Sequence, residues 1–256
     1  MNKTINNSKN FLWSVVKKTV PLTLFINVVS IAIAYGFYEM AFRVSLVPFF
    51  LAMAMLIFAA LGPVMIATID RGQSRLVSLG LANGIMIGSI YFFFGVVCFF
   101  FYFLFAPMPL YARAGGLVPG IAMTVYWMVF TARDVSRALK TSRFVQQAFE
   151  DKGDVLQYRL QNIAKLESVL SSRSPSGKLH MYLVLLIAPL SLVIGRVLTP
   201  AFGSHGPILL AALILFPVSQ WIAGIGVRQY FVMVRLPRML ERTQGKSVIV
   251  ASDDIH

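Results

Sequence analysis

Long apolar stretches alternate with short polar ones along this chain, and each apolar stretch approaches membrane length. The pattern predicts span one over about Thr19–Phe37, span two over Val44–Ile69, span three over Leu79–Ala106 and span four over Leu117–Thr131. After a polar interval come span five, about Leu179–Leu198, and span six, about Pro207–Val227. Roughly 20 apolar residues cross a hydrocarbon core of about 30 Å. The expected fold class is therefore all-α: a polytopic membrane protein with six transmembrane helices in a 4+2 arrangement.

The polar interval, Ala132–Lys178, carries nine Lys/Arg against five Asp/Glu. Its first part, with Val135, Leu139, Val145 and Phe149, predicts an amphipathic helix continuing span four, and Asp151–Asp154 is a turn signal. Leu156, Leu160, Ile163, Leu166 and Leu170 then recur every three or four residues among polar neighbours, which predicts a second helix. The expectation is a cytoplasmic helical hairpin, with Ser171–Gly177 as a flexible link back to the membrane. The chain so divides into 1–18, a basic segment lying on the membrane surface; 19–131, spans one to four; 132–178, the hairpin; 179–227, spans five and six; and 228–256, a basic amphipathic segment ending in a frayed tail.

Within the spans, Pro21 fits the first turn of span one, where proline is tolerated. Asn27 is expected to hydrogen-bond to a neighbouring helix. Pro63, Pro189 and Pro217 each free a carbonyl and should bend their helices, with Ser191, Ser219 or Gln220 as compensating donors. Gly80, Gly84 and Gly88 repeat every four residues, the small-residue face of closely packed membrane helices. The aromatic block from Tyr91 to Phe105 predicts a lipid-facing, interface-anchoring surface. Pro107, Pro109, Gly115-Gly116 and Pro119-Gly120 shorten span four to about 22 Å, so that it crosses by extending at its ends, by thinning the bilayer or by snorkelling of Arg133; alternatively, the Gly/Pro-rich entry is irregular backbone lining a cavity.

Composition sharpens this reading. The chain is 57% apolar and 13% charged, against about 25% charged in soluble domains. The single cysteine, Cys98, excludes an intrachain disulfide and a thiolate metal cluster. A net charge of +13 would suit nucleic acid, but its distribution argues otherwise. Of 23 Lys and Arg, all but Arg43, Arg113 and Arg196 fall on the side of the N-terminus in a six-span arrangement. The positive-inside rule then puts both termini and the polar interval in the cytoplasm, with anionic headgroups as their partner and no role for nucleic acid. Short loops point to a bacterial inner (plasma) membrane.

Candidate chemistry is sparse. The sequence holds no P-loop, HExxH, GxSxG, CxxC or EF-hand pattern, and no Asp, Glu or His at the middle of any span. That argues against proton-coupled transport and intramembrane proteolysis. No cofactor or metal is expected. Glu39, Arg43, Arg113, Arg196 and His205 are the ionisable residues of the outer face, and convergent arginines there would suit an anion. The apolar stripe from Leu156 to Leu170 would suit a docking partner or a second copy. The functional expectation is a non-enzymatic membrane component acting by protein contact: a subunit, assembly factor or immunity-type protein. One alternative is a transporter or channel for an anionic solute or lipid headgroup. A second is a transferase acting on a lipid phosphate, with His205 and Glu39 as its only candidate bases.

Overall fold

A computed structural model describes residues 11–141, 144–161, 182 and 205–251. Five helices among them are long and apolar enough to cross a membrane: Phe11–Ala41, Val47–Asp70, Leu76–Phe105, Leu110–Lys140 and Ile208–Gln244. This is the architecture of an integral membrane protein. They correspond to expected spans one to four and six. Span five, with Pro189, Ser191 and Arg196, lies outside the described residues apart from Tyr182, as do Ser171–Gly177, Ile163, Leu166 and Leu170.

In chain order the elements are α1 (Phe11–Ile33), a π-helical stretch π1 (Ala34–Ala41), α2 (Val47–Asp70), α3 (Leu76–Tyr91), π2 (Phe92–Phe100) and α4 (Phe101–Phe105). Then follow α5 (Leu110–Thr141), α6 (Phe144–Ala148), β1 (Phe149–Asp151) and β2 (Val155–Tyr158). The last elements are α7 (His205–Gln229), π3 (Tyr230–Arg235), α8 (Leu236–Gln244) and β3 (Ser247–Val250). Helix is imposed by the solvent: hydrocarbon offers no partner for a backbone N–H or C=O, so each segment must satisfy its own. α2 and α5 are peripheral, presenting Phe50, Ile57, Leu61, Met65, Val118, Ile121 and Tyr126 outward. The segments α3–π2 and α7–π3 form the central pair.

Four expectations about the spans are corrected. Residues Phe11–Lys18 do not lie apart on a surface but begin α1, so Pro21 sits inside the helix rather than in its first turn. Asn27 donates back to the Thr23 carbonyl of its own helix, 2.8 Å away, rather than to a neighbour. The helix α5 runs unbroken through Gly115-Gly116 and Pro119-Gly120. The glycines there serve packing, because a Cβ at Gly116 would overlap the Phe103 ring and one at Gly120 would come within 2.5 Å of Phe99. Accordingly, much of the aromatic block faces inward: Phe99, Phe101, Tyr102 and Phe103 are buried. Phe99 stacks on Phe216 at 4.0 Å, and Phe101 meets Tyr38 edge to face.

The stretches π1 and π2 join in the same core. Tyr38 donates its hydroxyl proton to the Val97 carbonyl at 2.7 Å, both residues being buried. A wider helical turn disturbs the regular backbone ladder, and a phenol from the facing helix occupies one of its carbonyls. Ser219 donates to Phe216 O at 2.7 Å, not to the Leu213 carbonyl that Pro217 was expected to leave free.

The largest departure is at the basic end. Where the second helix was expected to begin, Phe149–Tyr158 forms a β-hairpin, β1 pairing antiparallel with β2. The expected frayed tail supplies β3, which pairs parallel with β2. Leu156 lies on a strand and Leu160 in a turn, so these two residues do not belong to a helical docking stripe, and Ile163, Leu166 and Leu170 lie outside the described residues. Gly153 at φ +84 and its N–H bond to Asp151 Oδ1 (2.9 Å) make the turn. The strands bury alternate residues, Leu156 and Tyr158 on β2 and Val248 and Val250 on β3. Period two in β-branched and aromatic residues competes with the helical period in this short window, and the distant partner strand decides between them. Phe11, Leu12 and Val16 of α1, Leu76 of α3 and Val135 of α5 complete the core beneath this sheet.

Candidate functional site

The central pair meets at the small-residue face of α3. A Cβ at Gly80 would lie 2.6 Å from Met233 Cβ and 3.0 Å from its carbonyl oxygen, so only glycine admits π3 at this distance. At Gly84 and Gly88 a Cβ would meet nothing within 4 Å. The one stripe therefore does two things. Its Gly80 end is closed against π3, while Gly84 and Gly88 line a groove of about 280 Å³ between α2, α3 and α7. Met55, Phe58 and Ile85 supply apolar walls, and Gly226 and Gln229 the α7 side. Leu81 and Tyr230 at its margin are exposed, so the groove opens at the protein surface. The Gln229 Oε1 is buried there and accepts no hydrogen bond.

Deeper in the apolar belt, Gln220 donates Nε2–H to Thr124 Oγ1 at 3.0 Å, tying α7 to α5. The Thr124 hydroxyl in turn donates to Gly120 O at 2.8 Å. Both side chains are buried, and the tie fixes the spacing of two membrane helices.

At the basic end, the turn between α2 and α3 is organised by buried Asp70. Its carboxylate accepts Ser74 N–H at 2.8 Å and the Ser78 hydroxyl at 2.5 Å. The same turn covers the edge of β3, with Val250 N–H bonding Ser74 O at 3.0 Å. On the sheet surface Lys246 Nζ lies 2.6 Å from Asp151, and Arg159 lies 2.8 Å from Glu150. The hydrogen bond from Lys246, helped by Gly153 N–H, holds the Asp151 carboxyl below its ordinary range.

A second groove, about 550 Å³, lies between α5 and π3 at the same end. Arg133, Arg137 and Lys140 line one wall and Arg235 the other, its guanidinium 4.8 Å from the Phe231 ring centroid. By sequence alone Asp134 and Arg137 read as ordinary charges of a helix face. The signal was present in the i, i+4, i+7 spacing of its three cations, but the facing Arg235 comes from nearly a hundred positions later and no local window shows it.

Among the described residues, no direct side-chain contact draws the expected anion constellation together. Arg113 Nη2 donates to the Ala106 carbonyl at 3.3 Å, closing the turn after α4. His205 stacks on Phe42 at 4.5 Å. Glu39 and Arg43 do not pair by side chain, although Arg43 N–H bonds Glu39 O at 3.1 Å, and Arg43 is exposed. Arg196 is outside the described residues. Among the described residues no three of His, Cys, Asp or Glu gather where they could hold a metal. Comparison of the chain with protein-family models, curated proteins and solved structures finds no match.

Proposed function

We propose that this chain is a non-enzymatic, six-span component of a larger membrane system that works by contact with another membrane protein, as a subunit, assembly factor or immunity-type protein. The observation that carries the reading is the open half of the small-residue stripe. Gly84 and Gly88 leave backbone accessible beside an unpartnered Gln229 carbonyl oxygen. Membrane helices associate through such close backbone approach and through interhelical hydrogen bonds. An apolar helix carrying one polar donor is the occupant that fits. In this reading the basic end faces the cytoplasm of a bacterial inner membrane, both termini lie there, and Leu179–Leu198 is the remaining span.

The test fills the groove without touching the fold. Gly84→Leu with Gly88→Leu adds side chains where nothing stands within 4 Å. The variant should keep its thermal melting point in mild detergent and lose a stoichiometric partner seen by mass spectrometry with wild type. A wild-type protein that purifies alone, or a variant that keeps the partner, would refute the proposal.

A second reading, transport of an anionic solute or lipid headgroup, is favoured by the cationic groove between α5 and π3. Anion-dependent flux in liposomes containing only this chain separates it from the first.

A further inference from the structure

From His205 to Gln244 the chain is one continuous rod of α7, π3 and α8, and it is held on both sides of π3. In the apolar belt Gln220 ties α7 to Thr124 of α5. At the basic end Leu236 and Leu240 of α8 sit in the core beneath the sheet with Leu156, Val248 and Val250. β3 fastens that end twice more. Val248 N–H donates to Glu241 Oε1 at 3.1 Å, and Val250 N–H to Ser74 O at 3.0 Å. Between these holds, π3 serves two neighbours. Val232, Met233 and Val234 are buried in succession. At about 100° per residue, three consecutive side chains spread over about 200° of a helix, more than one neighbour covers. Val232 and Met233 belong to the core beneath the sheet, while Met233 and Val234 close on Gly80 of α3. Val234 and Tyr230 also line the Gly84/Gly88 groove. One six-residue stretch is thus part of the groove wall and part of the core under the sheet.

We infer that the sheet governs the shape of the Gly84/Gly88 groove through π3. A π turn carries an extra residue, and its return to α-helix turns the side chains on one side of it by about 100° against those on the other. The two windings are discrete arrangements of one segment, not a continuum. With β3 docked, the core beneath the sheet and Gly80 together hold the wide turn. With β3 released, π3 relaxes to α-helix and carries Tyr230 and Val234 out of the groove wall. This is regulation of the contact site proposed above, and its purpose rests on that reading. Linkage makes the effect reciprocal: an occupant of the groove stabilises the docked sheet.

The test measures the groove by electron paramagnetic resonance on the full chain in phosphatidylcholine vesicles, with Cys98→Ser as background. Nitroxides at Phe58→Cys and Tyr230→Cys mark the α2 and π3 walls, at two exposed residues. A reference pair at Leu104→Cys and Leu213→Cys, also exposed, marks the aromatic end. Val248→Asp, which releases the sheet, should change the groove distance by about 5 Å and leave the reference distance as in wild type. Glu241→Ala removes a single hold on β3 and should show the same new distance in a smaller fraction of molecules. A groove distance unchanged while protease cuts the opened sheet of Val248→Asp would overturn the inference. Should the reference pair move as well, Glu241→Ala decides: the new groove distance with an unmoved reference supports the coupling, and its absence overturns it. No partner is present in this measurement. An unresponsive groove therefore leaves the contact reading intact, and a chain that purifies without a partner leaves the coupling measurable.

Discussion

The two ends of this molecule are closed by different means. At the basic end, segments distant in the chain converge on one core, among them the start of α1, the α2–α3 turn, α5, the β1–β2 hairpin, π3, α8 and β3. Its rim is charged and ion-paired, and its strands hydrogen-bond across segments. At the opposite end the closure is aromatic. Phe99, Tyr102, Phe103 and Phe216 pack around Ala106 and Ala212. The contrast follows from the medium. Beside water, strands can leave an edge solvated and charges can pair at the surface. Within a bilayer, ring edges and faces provide directional contacts without exposing a polar group.

That contrast can be broken most forcefully at Val248, fully buried in the sheet. Val248→Asp would place an uncompensated charge in the core beneath the sheet, costing about 3–5 kcal/mol. Limited proteolysis should then cut within Phe149–Val250 while the helical signal in circular dichroism stays close to wild type. Loss of the membrane helices as well would show that the two ends fold as one unit.

A smaller effect is expected in the apolar belt. Tyr38→Phe removes the hydroxyl that joins π1 to π2 and leaves the Val97 carbonyl without the 2.7 Å donor. An orphaned buried acceptor costs about 1–3 kcal/mol. The melting point should fall, and the sheet should remain protease-resistant. An unchanged melting point would mean that the rings around Tyr38, rather than its hydroxyl, hold π1 to π2.

The smallest effect separates the ends by pH. Because Lys246 lowers the Asp151 carboxyl in the folded chain, the carboxylate stabilises the fold above its unfolded pKa of about 3.9. That contribution is lost as pH falls through the lower folded value. Asp151→Asn should therefore abolish a slight acid-side loss of protection at the hairpin, measured by hydrogen exchange, and leave the aromatic end unaffected. A hairpin whose exchange ignores both the substitution and the acid would remove Asp151 from this role.

Much of the membrane part was legible because hydrophobic length is a local property. Val47–Asp70 and Leu76–Phe105 lie within a few residues of their expected bounds. The sides of those helices were less legible. Phe99 and Phe103 read as lipid anchors because an apolar ring is equally at home in lipid or protein, and only the glycines of α5 show where they go. The Gly80–Gly88 repeat signalled close packing, yet nothing local distinguishes Gly80, against Met233, from Gly84, which faces open space. The cationic groove was half visible, in α5 but not in π3.

Taken alone, then, the sequence determined that this is a membrane protein and which stretches of the described chain form its long apolar helices. Length, hydropathy and charge are additive along a chain and need no partner to be read. The tertiary structure decided that Leu156 and Tyr158 lie on a strand, because β2 is completed by Val248 and Val250 from the far end of the chain. It likewise decided which glycine is closed and which is open, and which arginine faces Phe231. Strand pairing, backbone approach and groove shape are properties of two segments at once, and they exist only after the segments meet.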